Sequence, residues 1–139
     1  MAYCTQEDIT KRIGEVDLAA LADYDADGAA DDDAVAAAIG DAASLIDSYL
    51  SVRFTVPVSP VPEALRARAV NLTVYFLRLR RDSATEDARR QCEDDLAWLR
   101  EIARGEVSLG IEPSATESDR APSVRHQSQK RLFGRDEPL

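Results

Sequence analysis

Asp33-Ala34-Val35-Ala36-Ala37-Ala38-Ile39-Gly40-Asp41-Ala42-Ala43-Ser44-Leu45-Ile46-Asp47-Ser48-Tyr49-Leu50 decides the fold of this chain. Val35, Ala38, Ile39, Ala42, Ile46, Tyr49 and Leu50 recur at spacings of three and four, the period of an amphipathic helix. The helix is expected to run to about Arg53. Much of its apolar face is alanine, which lets helices approach closely but buries little area per residue. A thin core follows, and with it a gain from association with other subunits.

Working outward toward the C-terminus, Pro57, Pro60 and Pro62 forbid regular helix and hold Thr55 to Pro62 extended, with Pro62 placed to open the next helix. Leu65, Ala69, Leu72, Phe76 and Leu79 form that helix's apolar stripe. Its basic end, Arg78, Arg80 and Arg81, suits the negative pole of the helix dipole. Ser83 and Glu86 have the spacing of a capping box for a last long helix with Ala88, Cys92, Leu96, Leu99 and Ala103 on one face and Gly105 as its stop. Toward the N-terminus, Thr5 and Asp8 cap a short helix from about Gln6 to Ile13, which Gly14 ends in a left-handed conformation. A second short helix, Glu15 to Leu21, offers Val16, Leu18 and Leu21 for docking. Asp23 to Asp33 reads as a loop. No strand pattern appears, so the fold class is all-α: a small bundle of three longer helices plus short N-terminal ones, residues 1–105, followed by an extended arm, residues 106–139.

The 139 residues have room for one domain and an appendage. The net charge of −9 is unevenly spread. Residues 1–54 hold twelve acidic and three basic side chains, and residues 55–105 hold eight and nine. Within the arm, Arg120, Arg125, Lys130, Arg131 and Arg135 follow one another with no carboxylate between them. An acidic body that trails a basic arm suits head-to-tail contact between subunits. Arginines crowd the middle of the chain, but carboxylates interleave with the later ones, so they read as helix-surface ion pairs, and the overall charge repels phosphate, against nucleic-acid binding. Trp98, Tyr49, Phe54, Tyr75 and Phe76 fall on or beside the apolar stripes, as core residues do. No apolar run reaches the roughly 20 residues of a membrane span, and Met1 to Lys11 lacks a signal-peptide pattern, so the expected place is the cytoplasm of the producing cell. Cys4 and Cys92 read as unpaired thiols.

Two constellations carry chemistry. Asp23-Tyr24-Asp25-Ala26-Asp27-Gly28 reproduces the first six positions of a calcium loop, with Asp31 at the ninth, so Asp23, Asp25, Asp27 and Asp31 are the candidate ligands of a weakly bound Ca²⁺. Ala34 stands at the twelfth position, where a bidentate glutamate closes such a shell, and a solvated turn capping the next helix is the competing reading. In the arm, Lys130-Arg131-Leu132-Phe133-Gly134-Arg135 places two large apolar residues among cations, a composition suited to protein docking. Catalysis is not expected. His126 is the single histidine and sits in the polar arm, and Glu93, Asp94 and Asp95 are consecutive on a helix, so they fan outward without converging.

The order of these features resembles the Mu-like phage neck proteins, a group within the helical head-tail connectors. The likeness rests on Tyr3 to Ile9 with its Thr-Gln-Glu-Asp run, and on the loop Asp23 to Gly28. It continues with Ile46-Asp47-Ser48-Tyr49-Leu50 followed by Arg53-Phe54 and Pro57, the Pro62-led helix, and Arg131-Leu132-Phe133 with Arg135-Asp136. The resemblance implies an adaptor that forms a ring, a dodecamer, under the portal protein, extends the DNA channel without specific DNA binding, and meets a tail-side neck or tail-terminator protein in the virion neck. It assigns docking to Arg120, Arg125, Lys130, Arg131, Leu132, Phe133 and Arg135. Pro57 and Pro60 are expected at contacts between copies. A calcium-responsive regulator and an acidic, host-directed inhibitor are the alternative classes.

Overall fold

A computed structural model of the chain describes residues 2–114. The arm residues Arg120, Arg125, Lys130, Arg131, Leu132, Phe133 and Arg135, and His126 with them, lie outside the described residues. Among the described residues there are five α-helices and no strand: α1 (Gln6–Ile13), α2 (Glu15–Ala22), α3 (Asp32–Leu50), α4 (Glu63–Arg80) and α5 (Glu86–Arg104). The all-α expectation is borne out.

The local signals explain most of the boundaries. Thr5 accepts a hydrogen bond from the Asp8 N–H while the Asp8 carboxylate accepts one from the Thr5 N–H, so both halves of the capping box exist. Gly14 has φ +88° but ψ 159°, an extended turn distinct from the left-handed stop expected there, and it serves at once as C-cap of α1 and N-cap of α2. Pro62 caps α4, and Gly105 closes α5 with true left-handed geometry.

α3 and α4 are the main packed pair, α5 lies against both, and α1 and α2 close one side against α4. Ile9, Val35, Ala38, Ile46, Leu50, Leu65, Leu72, Leu77, Leu99 and Ile102 are completely buried. Each large apolar side chain among them contributes about 1.5–3 kcal/mol of transfer free energy. Alanines 38, 42, 43 and 69 sit between them in the core, so the α3–α4 seam is close but shallow.

Four details of the helix faces depart from expectation. Val16 does not dock: it is 82% exposed, while Leu18 and Leu21 are buried. On α4 the stripe ends on Leu77, and Leu79 is half exposed, because α4 turns its inner face by Val70, Thr73 and Val74 as well as Leu72. The N-cap of α5 is Thr85, whose hydroxyl accepts from the Ala88 N–H; Ser83 instead donates to the Arg78 carbonyl and finishes α4. The buried line of α5 is Asp95, Leu99 and Ile102, with Ala88, Cys92, Leu96 and Ala103 only at its margin. Asp95 therefore does not fan into solvent with Glu93 and Asp94; it is 2% exposed.

Past Gly105 the chain keeps to the body. Leu109 is buried, and the N–H and hydroxyl of Ser114 donate to the Arg53 carbonyl at 2.8 and 3.0 Å. Cys4 and Cys92 are free thiols, both pushed up in pKa chiefly by burial.

Candidate functional site

The bundle has two contrasting ends. At one, α2 hands over to α3 through Asp23–Asp31, a loop closed at its base: the Asp31 N–H donates to the Ala22 carbonyl at 2.8 Å, and the Asp23 N–H to Ala19 at 2.8 Å. The positive φ values of Ala26 (62°) and Gly28 (88°) curl the chain between these anchors. Asp23, Asp25, Asp27 and Asp31 each bring a carboxylate oxygen to a common point, all within 4.8 Å of one another. Backbone N–H groups aim inward and partly neutralise the cluster. Gly28 and Asp27 donate to Asp23 at 2.9 and 3.2 Å, Asp27 to Asp25 at 3.1 Å, Ala29 to Asp27 at 2.8 Å, and Tyr24 to Asp31 at 2.9 Å.

The electrostatics of this loop split its carboxyls. The Gly28 N–H holds Asp23 below the usual carboxylate range. For Asp25, the pull of the Asp27 N–H is outweighed by desolvation, by the hydrogen bond shared with Asp23 and by the charges of Asp27 and Asp31, so its pKa is raised. Four oxygens at this spacing suit a hard cation such as Ca²⁺. The twelfth position is Ala34, inside α3, and supplies no side-chain oxygen.

Arg81, just past the end of α4, fixes this loop to the body. Its Nε donates to the Leu21 carbonyl at 3.2 Å, Nη2 donates to the Asp23 carbonyl, and the guanidinium lies 4.2 Å from the centre of the Tyr24 ring. The neighbouring Arg80 reaches α3, donating to the Ala34 carbonyl at 3.3 Å and to Asp41 at 3.0 Å. The basic end of α4 thus reaches across the molecule, beyond the dipole role that its position suggested. No sequence signal pairs Arg81 with a carbonyl 58 residues away.

At the opposite end, Tyr3 is a buried crosslink. Its hydroxyl donates to Asp47 near the end of α3 and accepts from the Val58 N–H at 3.0 Å. Desolvation, with the hydrogen bond to Asp47, pushes its pKa up to about 12. The Thr55–Pro62 segment is held by that bond and by buried Val58, leaving Pro57 and Pro60 exposed. They line a groove of about 480 Å³ with Phe54, Val58, Ile111 and Ser114. Arg53 closes this end: Nη1 donates to the Ile102 carbonyl at 3.2 Å, and the guanidinium packs 5.8 Å from the Phe54 ring centre.

Between the two ends, Asp95 accepts from Gln91 Nε2 at 3.2 Å and faces Arg68 Nε at 3.5 Å. Its second oxygen has no hydrogen-bond partner among the described residues. Burial raises its pKa. Arg68 stacks on Trp98, 4.7 Å from the ring centre, which accounts for Trp98 as a packing residue. The exposed arginine pairs expected on α5 are present, with Arg89 bridging Glu86 and Glu93.

The arrangement at both ends belongs to a sequence pattern that spans nearly the whole chain. The family model described as Bacteriophage Mu, Gp36 matches residues 3–128. The chain belongs to the bacteriophage Mu gp36 family. The Mu-like prophage FluMu protein gp36 of Haemophilus influenzae is 30% identical over 134 residues, which is 96% of this chain and 94% of the relative. Gene product J of Escherichia phage Mu is 29% identical over 137 residues, covering 97% and 96%. The gp36-family match takes in Tyr3, the aspartate loop, Arg53 and the proline segment, and extends through Arg120 and Arg125. The expected kinship with Mu-like phage proteins is therefore borne out. No helix among the described residues is long and apolar enough to cross a membrane.

Proposed function

We propose that this gp36-family protein is a head-tail connector. In this reading its copies form a ring, a dodecamer, under the portal protein. The ring extends the DNA channel and presents a surface to a tail-side neck or tail-terminator protein. The chain acts by assembly and not by turnover, in the host cytoplasm first and in the virion neck afterwards. The observation that carries this reading is the family match across residues 3–128 to phage Mu gp36, joined to a helical body that is acidic in its first 54 residues. A channel wall rich in aspartate lets DNA slide without adhering. Pro57 and Pro60 stand exposed on a rigid segment, as contacts between copies require. Arg120, Arg125, Lys130, Arg131, Leu132, Phe133 and Arg135 supply the docking arm.

Co-sedimentation with assembled portal rings tests this. Full-length protein is expected to pellet with the rings, and a chain ending at Ser114 to remain in the supernatant. Failure of the full-length chain to pellet with portal rings would overturn the reading.

A second, compatible reading is favoured by the four convergent aspartates: the loop takes up Ca²⁺ weakly, with Asp23, Asp25, Asp27 and Asp31 as ligands. Lacking a twelfth-position carboxylate, the expected Kd is of the order of 10⁻⁴–10⁻³ M. Thermal melts at increasing calcium should then rise in Tm, and Asp25→Asn with Asp27→Asn should abolish the rise. A Tm indifferent to calcium would leave the loop as a helix-capping turn.

A further inference from the structure

A groove beside the aspartate loop meets the requirements of a receptor for the chain's own C-terminal segment. Ala19 of α2, with Ala29 and Ala30 of the loop and the edge of buried Leu18, give it a partly apolar lining, and Gln6, Thr10, Glu15 and Asp32 make the rest of its wall polar. Its volume is about 330 Å³, enough for one or two large side chains. Glu15 and Asp32 are exposed, and Asp31 and Asp33 adjoin Asp32 in the chain. The groove thus combines a small apolar area with hydrogen-bonding side chains and two carboxylates.

Lys130-Arg131-Leu132-Phe133-Gly134-Arg135 has the complementary pattern, two adjacent large apolar residues between three cations. We propose that in the free protein this segment docks into the groove of its own chain, with Leu132 and Phe133 on the alanine and leucine lining and the cations against Glu15 and Asp32.

Reach supports the same-chain contact. Ser114 is held at the Arg53 carbonyl, three residues beyond α3, and Asp32 begins α3 at the other end. The 19 residues of α3 separate the two points by about 28 Å at 1.5 Å per residue. The 16 residues from Ser114 to Lys130 extend to about 53 Å at 3.3 Å each. A tether of this length gives an effective concentration in the millimolar range, so the chain's own segment outcompetes that of another copy at ordinary protein concentration. The contact stands apart from the connector reading, since it concerns the protein alone. It adds to that reading a reason for the arm to stay parked until a better partner takes it.

Zero-length carbodiimide coupling of the full-length protein tests the contact, because the chain has only two lysines, Lys11 and Lys130. Lys11 lies 2.9 Å from Glu7 and serves as the internal control. Mass spectrometry is expected to find Lys130 joined to Glu15, Asp31, Asp32 or Asp33 at least about tenfold more often than to the other carboxylates of the body, because the tether brings Lys130 to all of them alike and only docking singles out these four. In a mixture of ¹⁴N and ¹⁵N protein these links should carry a single label. Phe133→Asp should reduce them, as should Glu15→Arg with Asp32→Arg, in proteins whose circular dichroism is unchanged. Adding Arg131→Glu and Arg135→Glu to the latter variant should restore the links to Asp31 and Asp33. Links spread evenly over the body, links of mixed label, or indifference to Phe133→Asp would each overturn the proposal. A loss of portal binding has no bearing on these links, so the two readings fail separately.

Discussion

At the proline end of the bundle, one buried phenol joins α3 to an irregular segment, and one arginine in the turn after α3 bonds to the end of α5. At the aspartate end, exposed carboxylates curl around backbone N–H groups, and the arginines that hold them are themselves exposed. Buried polar bonds have few substitutes, since water cannot reach a donor or acceptor left behind. Exposed charges exchange partners with solvent and with salt. The first end is therefore built to hold a shape, and the second to hold a charge.

Tyr3→Phe attacks the rigid end directly. It strands the Val58 N–H and removes the donor to Asp47, and the expected loss is about 2 kcal/mol in denaturant unfolding. The same residue predicts an alkaline signature. Tyr3 keeps its proton in the folded state up to about pH 12, whereas the unfolded chain releases it near its ordinary value of 10.0. The folded state binds more protons between these values, so stability falls as pH rises across that window. Tyr3→Phe should flatten this fall; an equally steep fall would show that Tyr3 is not the group that titrates across it.

Gly105→Ala should cost about 1–2 kcal/mol, from the left-handed penalty plus crowding. A Cβ there would lie 2.9 Å from Arg53 Nη1. The cost should shrink in an Arg53→Ala background, where the crowding is gone, and equal costs in both backgrounds would show that only backbone strain matters.

Midway between the ends, Asp95→Asn is expected to stabilise by about 1 kcal/mol at neutral pH, because the amide stands in for the protonated carboxyl that the folded state favours even with Arg68 beside it. The sign follows from the raised pKa. The folded state holds the Asp95 proton more tightly than the unfolded chain, so stability declines as pH rises from the ordinary carboxylate value through the raised one. The substitution should remove that decline, read from thermal melts in a pH series.

Arg81→Ala probes the charged end, with an expected loss of about 0.5–1 kcal/mol that shrinks when salt is added. A larger, salt-independent loss would erase the contrast between the two ends.

Local signals made much of this molecule legible. The Thr5–Asp8 box, the α3 stripe from Val35 to Leu50 and the Gly105 stop all depend on residues within a few positions of one another, and they set α1, α3 and the end of α5. Helix phase was harder to read. Leu79 and Ala103 stood in for Leu77 and Ile102 because a stripe drawn at a strict spacing drifts, and packing against a neighbour decides which residue turns inward. Ser83 masked Thr85 since either spacing offers a cap. At the candidate site, the four aspartates were legible because they lie within nine residues. Arg81, Arg53 and the Tyr3–Asp47 pair were not, because each acts on a partner more than 40 residues away.

The Arg53 carbonyl also gives the protein an internal reporter of partial opening. It accepts two bonds from Ser114, the last described residue. Releasing those bonds frees only the stretch that follows Leu109, which stays buried, while Glu106 and Val107 stay bonded to the Glu101 carbonyl. Hydrogen exchange at the Ser114 amide therefore measures the free energy of that small excursion alone, separately from the slower exchange of buried amides such as Leu72. Comparing the two rates with and without a docking partner would tell whether recruitment tightens the seam, loosens it, or leaves it as it was.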